Sequence, residues 1–167
     1  MNLPTPDELL DKLAAQMLPL MRSDCAFLGI HTGGVWVMDA LAERLGADVP
    51  RGVLDIAFYR DDFSRIGLHP EVKPSRIPFE VENRHILLVD DVLYTGRTVR
   101  AALNLIFDYG RPAAVRLAVL ADRGGRELPV CPDFVGAMLY MADDEHISLV
   151  REEDGRLHWV LKQRPVA

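Results

Sequence analysis

The sequence has few of the features that would set it apart from an ordinary globular domain. It has only two cysteines, Cys25 and Cys131, so no disulfide framework is predicted. Its longer uncharged apolar stretches, such as residues 134–142, are too short to cross a bilayer. Residues 1–10 contain two acidic side chains and no basic one, unlike a secretory signal peptide. We therefore expect a cytoplasmic protein that does not associate with membranes.

Metal ligands and basic clusters are also scarce. The five histidines lack the spacing of a metal site, and no Gly-x4-Gly-Lys-Ser/Thr segment is present, which disfavours a P-loop kinase. The net charge of −6 argues against nucleic-acid binding unless a local basic face exists. What is present is 49% hydrophobic and 26% charged residues in a chain of 167. These values predict one globular domain with a substantial core.

The most informative segment is residues 86–98, Ile-Leu-Leu-Val-Asp-Asp-Val-Leu-Tyr-Thr-Gly-Arg-Thr. Its apolar run predicts a strand buried on both faces, as in a parallel sheet. Asp90 and Asp91 then fall at the carboxyl end of that strand, where open α/β sheets bind ligands. The following loop opens a helix predicted over residues 99–109, and its hydroxyls, glycine and backbone N–H groups suit a phosphate. The segment therefore predicts a sugar-phosphate site.

Residues 86–98 resemble the phosphoribosyl-pyrophosphate (PRPP) motif of type I phosphoribosyltransferases. Residues 89–98 narrow the resemblance to the PyrR family of pyrimidine-operon regulators and uracil phosphoribosyltransferases. The resemblance implies that uracil and PRPP give UMP and pyrophosphate, with Mg²⁺ bound mainly through substrate oxygens. It assigns Asp90 and Asp91 to catalysis, holding the ribose hydroxyls directly or through Mg²⁺ and water. Residues of this segment implied to contact PRPP or UMP are Val92, Leu93, Tyr94, Thr95, Gly96, Arg97 and Thr98.

Two more loops are assigned to PRPP by the same resemblance. The turn after a predicted strand at residues 26–30 would hold pyrophosphate through His31, Thr32 and Gly33. The family usually has a basic residue at position 31 and often Arg at 33, so weaker pyrophosphate binding is expected. Residues 59–62 match the family's Tyr-Arg-Asp-Asp, at the start of a hairpin expected to close over PRPP. Catalytic contact with pyrophosphate oxygens is assigned there to Arg60, with Asp61 and Asp62 also contacting PRPP.

A further turn is implied to face the pyrimidine base. It follows a predicted strand at residues 113–121 and includes Asp122 and Arg123. Gly125 replaces a histidine that is usual in the family. Because the family's base contacts are expected to be mainly backbone groups, this replacement is compatible with base binding.

The fold predicted is α/β: a type I phosphoribosyltransferase-like, doubly wound and mostly parallel sheet of about five strands with helices on both faces. It would form a single domain, with a core over about residues 26–136, a flexible β-hairpin, and a small hood from residues 1–25 and 137–167. The resemblance also implies a homodimer or a larger homo-oligomer.

Alternative functions share the same nucleotide site. One is a regulator that binds pyrimidine-leader RNA in response to UMP or UTP. The acidic N-terminal helix and the acidic region 141–153 disfavour it, although Arg22, Arg44, Arg111 and Arg116 could cluster on one face of an oligomer. Another is a nucleotide sensor without catalysis, motivated by the altered residues His31, Gly33 and Gly125. A salvage enzyme for a different base is a third.

Overall fold

A computed structural model of the chain describes residues 2–46, 48–56 and 75–163. Three helices and seven strands lie in these residues. In chain order they are α1 (Pro6–Met17), β1 (Cys25–Ile30), α2 (Gly33–Leu45), β2 (Arg51–Leu54), β3 (His85–Leu93), α3 (Arg97–Tyr109), β4 (Ala114–Asp122), β5 (Phe134–Met138), β6 (Glu145–Arg151) and β7 (Leu157–Gln163). A single 3-10 turn, Leu18–Leu20, follows α1.

Five strands form one parallel sheet in the order β2-β1-β3-β4-β5. The order reverses between β1 and β3, since β2 lies on one side of β1 and the later strands lie on the other. Ligands of doubly wound sheets bind at such a switch point, outside the carboxyl ends of the strands. The topology therefore marks the edge beyond β1 and β3 as the ligand edge.

Helices cover both faces of the sheet. Strand β1 is buried at all six positions and β3 at positions 86–90, so apolar side chains point alternately to the two faces. On one face α1 and α2 pack over Phe27, Leu87 and Val89. On the other face α3 packs over Leu28 and neighbouring residues. The predicted doubly wound α/β fold is confirmed.

The N-terminal helix packs on the sheet. Thr5 and Glu8 form a capping box at the start of α1: the Glu8 N–H donates to Thr5 Oγ1 over 3.3 Å, and the Thr5 N–H donates to Glu8 Oε2 over 2.8 Å. Leu13 and Met17 of α1 are fully buried in the core that α1 shares with α2 and the sheet. The structure thus places α1 in the layer that covers one face of the sheet.

Strands β6 and β7 form a separate antiparallel hairpin after the sheet. Ile147 and Leu149 of β6 are buried, and Ile147 packs with Ala121 and Val92 near the ends of β4 and β3. The hairpin therefore sits beside the ligand edge. No helix within the described ranges is both long and apolar enough to cross a bilayer.

Candidate active site at the carboxyl edge of the sheet

A cleft of about 500 Å³ opens at the carboxyl ends of the parallel strands. Loops after β1, β2, β3 and β4 form its floor and walls, and β6 closes one side. The lining residues are His31, Thr32, Gly33, Trp36, Asp55, Ile56, Asp91, Val92, Tyr94, Arg123, His146, Ile147, Ser148 and Leu149. A volume of this size suits a small metabolite.

The two adjacent carboxylates take different positions. Asp90 is 6% exposed, and its Oδ1 accepts the Asp91 N–H over 2.9 Å. Asp91 lines the cleft, and its Oδ1 accepts the Val92 N–H over 2.8 Å. Because successive residues of a strand point to opposite faces, only one of a neighbouring pair faces the cleft directly. Asp91 thus lines the cleft, and Asp90 lies buried beside it and accepts a hydrogen bond from the backbone that carries Asp91.

The turn between β1 and α2 lies directly against Asp91. A Cβ atom added at Gly33 would lie 2.2 Å from Asp91 Oδ2, far inside contact distance. The His31 N–H donates to Leu54 O over 2.9 Å, which fixes the start of this turn beside the end of β2. Helix α2 begins at Gly33, so its first N–H groups lie at the cleft. An anion bound there would sit next to the Asp91 carboxylate.

The predicted phosphate loop follows β3 and opens α3. Gly96 has a φ of 90° and precedes the first helical residue, Arg97, whose N–H donates to Thr95 Oγ1 over 3.2 Å. Thr95 O accepts N–H groups of Glu127 and Leu128, so the turn after β4 fixes this loop. Of the residues assigned to this segment, Val92 and Tyr94 line the cleft and Leu93 is buried in the core. Residues 95–98 follow Tyr94 into the start of α3 and are not among the residues that line the cleft.

The side chain of Arg97 lies outside the cleft. Its Nε is 2.6 Å from Glu127 Oε2, and both side chains are about half exposed. Arg97 thus helps to hold the two loops together, while its backbone belongs to the phosphate loop.

Asp122, which is predicted to face the base, is not among the residues that line the cleft. It is 2% exposed, and Arg126 donates two hydrogen bonds to its carboxylate, over 2.8 and 2.5 Å. Burial disfavours the ionised carboxyl, but the bonds from Arg126 and from the Gly124 N–H outweigh burial and lower the pKa of Asp122. Arg126 also donates to Tyr94 O and Val130 O. Asp122 is therefore a structural anchor of the turn, whereas Arg123 lines the cleft.

Several lining residues carry no motif in the sequence. Trp36 lies in the first turn of α2, Asp55 follows β2, and His146 and Ser148 lie in β6. Their place in the cleft depends on how separate elements pack, and β6 is far from the other loops in sequence. Arg60, Asp61 and Asp62 lie outside the described residues.

Among the carboxylates that line the cleft, Asp91 could take part in holding a metal ion. Nowhere in residues 2–46, 48–56 or 75–163 do three His, Cys, Asp or Glu side chains come together as potential metal ligands. Asp91 offers a carboxylate at the cleft wall beside two helix starts. Mg²⁺ bound to substrate phosphates keeps several waters and needs only one or two protein carboxylates.

This arrangement, with two strand–loop–helix turns beside a carboxylate at the switch point, is that of a phosphoribosyltransferase. Residues 7–139 match the phosphoribosyl transferase domain family. A hypoxanthine-guanine phosphoribosyltransferase from Bacillus anthracis shares the fold, with a TM-score of 0.68 at 16% identity over 84% of this chain and 85% of that chain.

Within this class the chain belongs to the PyrR family. The bifunctional protein PyrR of Nitrosococcus oceani is 56% identical over 160 residues, covering 89% of this chain and 90% of that protein. The bifunctional protein PyrR of Pseudomonas paraeruginosa is 52% identical over 154 residues, covering 90% of this chain and 91% of that protein. The predicted family and enzyme class, a phosphoribosyltransferase and hence a glycosyltransferase, are confirmed.

Proposed function

We propose that the protein transfers the phosphoribosyl group of PRPP to uracil, giving UMP and pyrophosphate. The observation that carries this proposal is the position of Asp91, between the start of α2 and the loop that opens α3. One helix start would bind pyrophosphate and the other the 5′-phosphate. The ribose then lies over the carboxylate that separates them.

The reaction needs placement of charge more than a protein nucleophile. As the bond from the anomeric carbon to pyrophosphate breaks, the ribose ring gains positive charge, which the Asp91 carboxylate beside it stabilises. Asp90 keeps Asp91 in place through the Asp91 N–H. The C1–O bond to pyrophosphate breaks as a bond from C1 to a uracil ring nitrogen forms, and that nitrogen loses its proton.

Pyrophosphate departure requires positive charge near its oxygens. Mg²⁺, when bound, would neutralise the pyrophosphate as it leaves. Asp91 is the described residue best placed to hold it, directly or through water. Arg60, with Asp61 and Asp62, remains our assignment for the residues that contact pyrophosphate and exclude water during turnover.

The direct test is pyrophosphate release from PRPP and Mg²⁺ with uracil, with cytosine, hypoxanthine and orotate in parallel reactions. We expect release with uracil, little with the other bases, and loss of turnover when EDTA removes Mg²⁺. Equal turnover with hypoxanthine would overturn uracil specificity. Absence of turnover with every base, while UMP still raises the melting temperature, would favour the non-catalytic nucleotide sensor.

RNA-binding regulation is a second candidate, because the related PyrR proteins are named bifunctional. Arg22 and Arg116 line one surface pocket, although Asp24 and Asp133 pair with them. Arg44 is ion-paired with Asp7 and Asp11. Binding of a pyrimidine-leader RNA that weakens steeply with salt, and weakens further in Arg22→Ala/Arg116→Ala, would support this function. If the double variant binds the RNA as tightly as the wild type does, the pocket lined by Arg22 and Arg116 is not the RNA-binding site.

We also propose a cytoplasmic homo-oligomer. Phe107 is 57% exposed, Tyr109 50% and Tyr140 85%, so large apolar side chains are available for contacts with a second copy. Cys25 and Cys131 are both free thiols, which fits a reducing compartment. Sedimentation velocity would test the assembly, and a monomer at micromolar concentration would contradict it.

A further inference from the structure

Arg123 connects three parts of the molecule at the wall of the cleft. Its N–H donates to Leu93 O at the end of β3, over 3.0 Å. Its Nη1 donates to Glu145 O over 3.0 Å, and its Nη2 contacts Ala142 O at 3.4 Å, at the start of the β6–β7 hairpin. One residue therefore ties the ends of β3 and β4 to the hairpin that closes the cleft.

Tyr94 supports the guanidinium of Arg123 from the opposite side of the turn. The Arg123 Cζ lies 4.1 Å from the centroid of the Tyr94 ring, within the range of a cation–π contact. Gly125 makes room for that ring, because a Cβ there would lie 2.4 Å from Tyr94 Cε2, and its φ of 74° disfavours other residues. The glycine that replaces the family's histidine is therefore part of the same arrangement.

The arrangement leaves one buried donor of the guanidinium without a partner. Arg123 Nε is buried and has no hydrogen-bond partner among the described residues. A buried donor without an acceptor destabilises the state that contains it. A change that brings an acceptor to this atom would therefore be favourable. Arg123 lines the cleft, so binding of a ligand is one event that could bring such a change.

We propose that Arg123 is a positioning residue. It couples the binding of a base, beside the turn that follows β4, to the position of strand β6. This inference deepens the proposed function and rests on it for the identity of the base. With Arg123 bonded to residues 142 and 145, β6 presents His146 and Ser148 to the cleft. Without the guanidinium, Glu145 O loses this donor and Ala142 O keeps only the Glu145 N–H, so the start of the hairpin is held less firmly to the end of β4.

Hydrogen exchange measured by mass spectrometry tests the structural half of the proposal without any turnover. In Arg123→Ala we expect amides of residues 142–151 to exchange at least several-fold faster than in the wild type, with β1 and β3 unchanged. Tyr94→Phe keeps the ring and should keep the protection, whereas Tyr94→Ala should lose part of it. Arg156→Ala is the matched control, because Arg156 pairs with Asp154 inside the hairpin turn and does not reach the sheet.

Steady-state kinetics tests the coupling to the base. Arg123→Ala should raise KM for uracil roughly tenfold or more, because the charge-assisted hydrogen bonds from the guanidinium to residues 142 and 145 are lost and β6 is no longer held at the cleft. The KM for PRPP should stay within about twofold. Arg123→Lys keeps the charge and one donor but not the planar stack, so it should restore part of the uracil KM. Arg156→Ala should leave both constants unchanged.

The outcomes separate this inference from the proposed function. Unchanged exchange of residues 142–151 in Arg123→Ala overturns the inference even if the wild type is a uracil phosphoribosyltransferase. Faster exchange with equal increases in both KM values leaves Arg123 as a merely structural residue and overturns the coupling. If the wild type shows no turnover, the proposed function fails, and exchange with and without UMP decides the coupling: UMP should slow residues 142–151 in the wild type and not in Arg123→Ala.

Discussion

At the scale of single residues, the site depends on how closely the backbone of one loop approaches a side chain of another. Gly33 leaves room for the Asp91 carboxylate, which no other residue type could do without displacing it. The family resemblance led us to expect weaker pyrophosphate binding from a glycine at this position. The structure adds a second consequence, since the absence of a side chain sets the position of Asp91.

Replacing Asp91 by asparagine should lower kcat roughly 100-fold, because the charge that stabilises the developing cation is removed while the shape remains. Pyrophosphate release with uracil measures this loss, and circular dichroism checks that the fold is kept. Asp39→Asn is the control, since Asp39 is exposed on α2 and pairs with Arg51 away from the cleft. Equal activity in Asp91→Asn and Asp39→Asn would remove Asp91 from the mechanism.

Gly33→Ala should lower kcat at least tenfold by pushing the Asp91 carboxylate out of place, with only a small change in melting temperature because a side chain can move aside. The effect should nearly vanish when Gly33→Ala is added to Asp91→Asn, since both changes act through the same group. A full tenfold loss in that double variant would show that Gly33 acts on the ligand independently of Asp91.

At the scale of elements, the close packing of α2 on β3 brings the first helix start to the carboxylates. A Cβ at Gly34 would lie 2.5 Å from Val89 O, so the glycine lets the helix contact the strand backbone. Unlike a side chain, the backbone of a central strand cannot move aside. The neighbouring glycines 33 and 34 therefore serve different purposes, one for the site and one for the fold.

Gly34→Ala should reduce the free energy of unfolding by about 2 kcal/mol, because overpacking forces α2 away from β3. Urea denaturation measures the change, and the Gly33→Ala variant is its natural comparison. If both variants lose the same stability, the distinction between a side-chain neighbour and a backbone neighbour is wrong.

At the scale of the whole molecule, carboxylates link stability to pH. Hydrogen bonds from Thr5, His85 and Arg156 lower the pKa values of Glu8, Asp24 and Asp154, and these groups are exposed to solvent. Asp122 is the buried member of the set, where burial raises the pKa and the bonds from Arg126 and the Gly124 N–H lower it further than burial raises it. In every case the unfolded chain binds protons more readily than the folded one. Their stabilisation is therefore present above about pH 4 and is lost as pH falls through the lower folded values.

We expect the melting temperature to fall as pH drops from 5 to 3, and Asp122→Asn to flatten that slope. The variant should lower the free energy of unfolding by about 3 kcal/mol at pH 7, because it removes the charged partner of Arg126, and the difference from the wild type should shrink below pH 4. Differential scanning calorimetry across this range measures both effects. Asp39→Asn is the control and should lose melting temperature between pH 5 and 3 as the wild type does. If Asp122→Asn also follows the wild type over this range, Asp122 does not contribute to the pH dependence of stability.

Much of this organisation was predictable from the chain. The apolar run at residues 86–89 predicts a strand buried on both faces, and the acids after it are then expected at the carboxyl edge of the sheet. The capping box at Thr5 and the turn at Asp154-Gly155 also follow from local hydrogen bonding and backbone conformation. These features depend on neighbours a few residues apart, which a sequence displays directly.

What the sequence determined by itself was therefore the fold class, the family and the loops that form the cleft. Only the tertiary structure decided that Asp122 is buried against Arg126 while Arg123 faces the cleft, that α1 lies on the sheet, and that β6 supplies His146 and Ser148. Each of these depends on contacts between segments far apart in the chain or on which of two adjacent side chains points inward. A linear pattern of residue types does not specify such contacts, because packing of whole elements against one another sets them.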